Sequence, residues 1–152
     1  MVEALRAVET STMHRSRTIM IESELAYGEM PPLHVHAADE SFHVFEGSLT
    51  VYIGEDTVRL EAGETLIAPA GVAHTYRAES AKARVLTMSR VDSAARYDDF
   101  LRAVARPTDS GAPAWATDED EATVSAIAAA AGITVLAAPG ELPAGYAASA
   151  AA

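Results

Sequence analysis

His34 and His36 stand one residue apart in GEMPPLHVHAADESFHVFEG, residues 28–47, with Glu40 four residues further on and a glycine at each end. Side chains two positions apart in an extended segment leave on the same face, so the two imidazoles can share one ion. The polar interruption at residues 37–39 lets the chain bend before the next strand returns the Glu40 carboxylate toward them. A second stretch, GETLIAPAGVAHTYRA at 63–78, carries His74 after a turn-forming Pro-Ala-Gly and offers a fourth ligand. Neutral imidazole and carboxylate suit Fe, Mn, Ni, Co, Cu or Zn, with ligand distances of about 2.0–2.2 Å for zinc. The chain has no cysteine, which excludes a disulfide framework, a thiolate zinc site and a cysteine nucleophile.

Such a constellation needs a rigid frame. A chain of 152 residues, 49% hydrophobic and 22% charged, is ordinary for one globular domain with a single core. Between Ser16 and Ser89 it breaks into short β-branched and aromatic runs separated by Gly, Pro, Asp and Glu, which predicts strands near 17–26, 32–36, 41–46, 48–53, 57–60, 64–68, 73–78 and 83–89. Eight short strands argue a sandwich or barrel. After Arg90, Tyr97, Phe100, Leu101 and Val104 recur at three- and four-residue steps up to Pro107, the pattern of an amphipathic helix packed on the barrel. A linker follows, then Thr117 and an acidic first turn, residues 118–121, open a second helix with a buried stripe of Val124, Ile127, Ala128 and Ala131. Gly132 suits the helix end, and Ile133 to Leu136 add a short strand or an extended docking segment. The expected organisation is an N-terminal arm (1–15), a barrel (16–91), a two-helix extension (92–137) and a flexible tail (138–152).

Together the two stretches resemble the paired motifs of the cupin superfamily, G-x5-H-x-H-x3,4-E-x6-G and G-x5-P-x-G-x2-H-x3-N. The matches are Gly28, His34, His36, Glu40 and Gly47, then Gly63, Pro69, Gly71 and His74; the final Asn position is Ala78. The resemblance covers about residues 16–91. It implies an all-β fold, a double-stranded β-helix or jelly-roll barrel, with one divalent transition metal ion held inside by His34, His36, Glu40 and His74. Motif spacing favours Glu40 over its neighbour Asp39. Beyond the motifs, ESFHVFEG, RYDDFLRAVARP and GITVL are similar to segments of single-domain cupins of the quercetinase, or flavonol dioxygenase, group, and single-barrel polyketide cyclases resemble the chain about as well.

Four ligands leave one or two positions on the ion open. With a redox-active ion, a chelating enolate such as a flavonol or diketone would react with dioxygen; with a Lewis acid, the same site would promote cyclisation, isomerisation or elimination. Glu40 is the candidate base in both. A third reading is a small-molecule-binding cupin without turnover. Phe42 and Val44 share the face of Glu40 and are expected as pocket wall or core, and Tyr76 shares the face of His74. His43 is expected to point away from the metal, His14 to be exposed, and Trp115 to pin the linker, for which a lid role over 107–117 is open. A formal charge of −11 and a pI near 4.7 argue against nucleic acid and anionic membranes as partners. The chain shows no signal-like apolar run, so a cytoplasmic location is expected. Exposed strand edges suggest a homodimer, with His43 and Phe45 in its interface.

Overall fold

The computed structural model describes residues 10–11, 17–92, 94–104, 106–107, 113–114 and 121–150. In chain order the elements are β1 (Thr10–Ser11), β2 (Arg17–Ala26), β3 (Leu33–His36), β4 (Glu40–Glu46), β5 (Ser48–Ile53), β6 (Asp56–Glu61), β7 (Thr65–Ala68), β8 (His74–Ala78) and β9 (Lys82–Val91). Then come α1 (Ala94–Val104), β10 (Arg106–Pro107), β11 (Pro113–Ala114), α2 (Glu121–Ala130), β12 (Ile133–Ala137) and α3 (Pro143–Ala150). Two five-stranded antiparallel sheets, ordered β1-β2-β9-β4-β7 and β12-β3-β8-β5-β6, form the jelly-roll sandwich, and β10 pairs with β11. Residues 92–137 supply α1, α2 and β12.

The eight expected strands correspond to β2–β9, with ends that differ by at most two residues. Punctuation made them legible. Gly47 shows why: its φ is +76°, and a Cβ there would run into the Lys82 carbonyl and the Ser80 hydroxyl, so only glycine lets β4 turn into β5 at this point. The segment expected as a flexible tail contains α3. Its first residue, Pro143, is buried, at a position where proline's missing N–H costs the helix nothing. His14, Trp115, Thr117 and most of the 107–117 linker lie outside the described residues.

Among the described residues, two apolar clusters form the interior. The first lies between the sheets and includes Leu25, Phe42, Val44, Leu49, Val51, Tyr76 and Val85. The second joins Ile19, Ile21 and Val91 of the first sheet to Phe100 and Leu101 of α1, Val124 and Ala128 of α2 and Ile133 of β12. Strand alternation carries β2 and β9 through both. Reading along the buried face of β2, Leu25 belongs to the first cluster, Ser23 follows, and Ile21 and Ile19 belong to the second. On β9, Ala83 and Val85 are followed by Thr87 and Ser89 and then Val91. A belt of buried hydroxyls therefore separates the two clusters.

Candidate metal centre

The site sits at that belt. β3 and β8 pair at His34 and His74, which places two of the imidazoles directly opposite one another. Among the described residues that is the only pair joining these strands in the ladder, and β12 supplies the rest of the support for β3, with Ile133 opposite His36 and Val135 opposite His34. The Gly71 amide donates to the His36 carbonyl at 2.8 Å, fixing the Pro-Ala-Gly turn against the strand that carries His36. Glu40 opens β4 between Ala68 and Ser89. Its side chain and that of His74 are buried, while His34 and His36 are partly exposed.

Each imidazole is oriented by the backbone. The Nδ1 atoms of His34, His36 and His74 lie 2.8, 2.7 and 2.8 Å from the carbonyl oxygens of Pro32, Ala38 and Val72. A carbonyl only accepts, so each Nδ1 carries the hydrogen and each neutral ring presents a bare Nε2 lone pair. All three Nε2 atoms face one oxygen, Glu40 Oε2, at 3.8, 3.2 and 2.9 Å. Lone pairs and a carboxylate in that arrangement repel unless a cation, a proton or a metal ion, lies among them. Ligand atoms about 2.0–2.2 Å from an ion are roughly 3 Å apart when at right angles, so these separations suit one shared ion. The four ligand atoms lie within 4.8 Å of one another, so the donor set fits a transition metal.

Without metal, protons take that role. Burial alone would push the Glu40 carboxyl up, but the nearby His34 ring and its charge, with hydrogen bonds from His36 and His74, hold it well below the usual carboxylate range. For His36, burial opposes the charged form, yet the hydrogen bond and charge of Glu40 and the Ala38 carbonyl outweigh it and raise the imidazole.

Residues 21–89 match the sequence model of the Cupin domain family. Over these residues the chain has the sequence pattern of a cupin domain. No curated protein matches. Among solved structures, the chain is similar to BH2720 from Bacillus halodurans, at 18% identity over 49% of this chain and 61% of that one, with a TM-score of 0.44. TT1209 from Thermus thermophilus is 28% identical over 58% of this chain and 83% of that one, with a TM-score of 0.44. A mutant of salicylate 1,2-dioxygenase from Pseudoaminobacter salicylatoxidans is 24% identical over 49% of this chain and 20% of that one, with a TM-score of 0.43. The chain thus spans less than two thirds of the first and the last of these proteins.

A cavity opens from the ligands toward the mouth of the cupin domain. Its walls include Ser23, Pro32, Tyr76 and Thr87 from the barrel, with Tyr97, Phe100, Leu101, Ile133 and Val135 from the extension. Among the described residues, Glu40 is the one carboxylate that lines it. Of the residues expected in the pocket, Tyr76 lines this cavity. Phe42 and Val44 do not. Both are fully buried in the first cluster, where Phe42 packs edge-on against Tyr76 with ring centroids 5.4 Å apart. Alternation gave them the correct face, but β4 runs away from the mouth, so each step from Glu40 goes deeper into the barrel. His43 points elsewhere, with its Nδ1 2.7 Å from the Thr65 hydroxyl.

Sequence reasoning missed Tyr97, Ile133 and Val135 as cavity walls. The helical stripe marked Tyr97 as buried but not what it is buried against. Burial raises the Tyr97 phenol well above its ordinary range, and the charges of Glu40 and Tyr76 add to this, so it stays a protonated donor beside the site. No hydrogen bond to its hydroxyl is formed among the described residues. No helix among the described residues is long and apolar enough to cross a membrane.

Proposed function

We propose that this cupin domain is a metal-dependent dioxygenase acting on a small substrate that chelates through oxygen, flavonol- or diketone-like. The observation carrying this reading is the convergence of three backbone-oriented Nε2 atoms on Glu40 Oε2 at the wall of an apolar cavity. A redox-active ion bound there would supply electron transfer between a chelated enolate and dioxygen. The chain's own residues do the rest. His34, His36, His74 and Glu40 hold the ion, and the carbonyls of Pro32, Ala38 and Val72 keep each ring turned so that Nε2 faces inward. Glu40 is the candidate acceptor for the proton of an enolisable substrate. Tyr97 stands ready to donate to a substrate oxygen, and the side chains of Phe100, Leu101 and Ile133 give the cavity an apolar wall.

Oxygen uptake by iron- or manganese-loaded protein with flavonols and diketones tests the reading. Substrate-dependent uptake, lost in His74→Ala, is the expected result. Product formed equally well without oxygen would instead make the protein a non-redox cyclase or isomerase. Metal-replete protein that turns over nothing would leave a binding cupin.

A further inference from the structure

The space around the metal centre is divided. The inner chamber is small, about 40 Å³, room for no more than a few waters. On the other side of His36 lies a second space of about 370 Å³, within the range of about 300–1,000 Å³ usual for small-molecule sites. His36, Tyr97 and Ile133 line both, so they form the partition. Two of the three come from beyond residue 89, where the family match ends.

The two compartments differ in chemistry. The inner one is apolar apart from the ligands and a few hydroxyls, among them those of Ser23 and Thr87. The outer one is floored by residues with little or no side chain, Ala38, Ala70, Ala131 and Gly132, which a flat ring can approach closely. Among the described residues its charged side chains are Asp39, Asp92 and Arg90, an acidic balance that disfavours a phosphate ester or a dicarboxylate.

We propose that the organic substrate is a flat, neutral or weakly acidic oxygen chelator that lies in the outer groove. Its donor edge passes between His36 and Tyr97 to the metal centre, and the inner chamber admits only water or a small apolar gas. The partition rests on the metal-centre reading above and adds to it where each reactant sits. It also assigns Tyr97 a place: its hydroxyl, which has no partner among the described residues, meets the substrate at the threshold between the compartments.

Zinc-loaded protein separates the two compartments without turnover. 3-Hydroxyflavone, followed by fluorescence, reports on the outer groove, and dissolved xenon, followed by the methyl resonances of Ile21 and Leu101, reports on the inner chamber. Ala70→Trp should weaken 3-hydroxyflavone by at least about tenfold, with Ala70→Leu in between, and leave the xenon response intact. Ser23→Val should abolish the xenon response and leave 3-hydroxyflavone affinity within about twofold. The reverse pattern would place the organic ligand in the inner chamber and overturn the partition. Zinc-replete parent protein that fails to bind 3-hydroxyflavone would overturn the assigned ligand class while leaving the metal centre. Parent protein that retains no zinc would overturn the reading on which the proposal rests.

Discussion

The cluster between the sheets and the cluster at the mouth contain similar side chains but are held together differently. The first is closed by long, regular ladders, such as the one between β5 and β6 from Ser48 opposite Glu61 to Ile53 opposite Asp56. The second depends on elements that arrive late in the chain: α1, α2 and β12 bring Phe100, Leu101, Val124 and Ile133 to two strand ends. The ligands lie between, on strands of the first region braced by a strand of the second. A site built this way has rigid donors and a wall that can be altered without dismantling the barrel.

The largest difference should appear on truncating one aromatic residue in each region. Phe42 is fully buried and touches the rings of His74 and Tyr76, so Phe42→Ala should cost about 3–5 kcal/mol of global stability. Phe100→Ala should cost less, roughly 2–3 kcal/mol, and open the cavity wall. Denaturant unfolding of both variants checks this; equal losses would mean that the two clusters are one cooperative core. Gly47→Ala comes next. With a left-handed φ and no room for a Cβ, it should cost roughly 2–4 kcal/mol, all of it in the barrel. A Gly47→Ala protein of unchanged stability would contradict the crowding at this turn.

Thr134→Pro acts on the bridge between the regions. Thr134 is exposed and stands opposite Val35, between the partners of His34 and His36. Proline there disturbs the ladder that gives β3 most of its pairing. Metal affinity should fall by roughly 10–100-fold, as for loss of other groups that orient ligands, while the barrel stays folded. Affinity unchanged in a chelator competition would show that β8 alone positions the histidines.

The same division explains what could be read from the sequence. The barrel follows a period of two with glycine and proline at its corners, and the residues His34, His36, Glu40 and His74 sit at spacings that name a metal site before any fold is drawn. A period fixes a face and not a depth. That is why alternation puts Phe42 and Val44 near the pocket, and why Tyr97 registers only as part of a helical stripe. Its neighbours across the cavity, Ser23 and Thr87, are far from it in sequence, and no local pattern records that pairing. One signal was present: hydroxyls interrupt the buried face of β2 at Ser23 and of β9 at Thr87 and Ser89, marking where apolar packing stops.

The smallest effect concerns the ligands themselves when no metal holds them. The folded pKa of Glu40 is depressed, so its contribution to stability is present above the unfolded value near 4.5 and is lost as pH falls through the folded one. That of His36 is raised, so its contribution is complete below the unfolded value near 6.5 and is lost as pH rises through the folded one. The two overlap between those values, and metal-free protein should gain most from the cluster there. Metal reverses the upper half of this dependence, because it competes with protons for the imidazoles and binds more tightly as pH rises. Thermal midpoints of chelator-treated and zinc-loaded protein should therefore diverge between about pH 6 and 8, and the decline of the metal-free form should flatten in His36→Gln. A metal-free midpoint that climbs across this range, with or without His36, would show that the imidazoles and Glu40 are not sharing protons as the geometry requires.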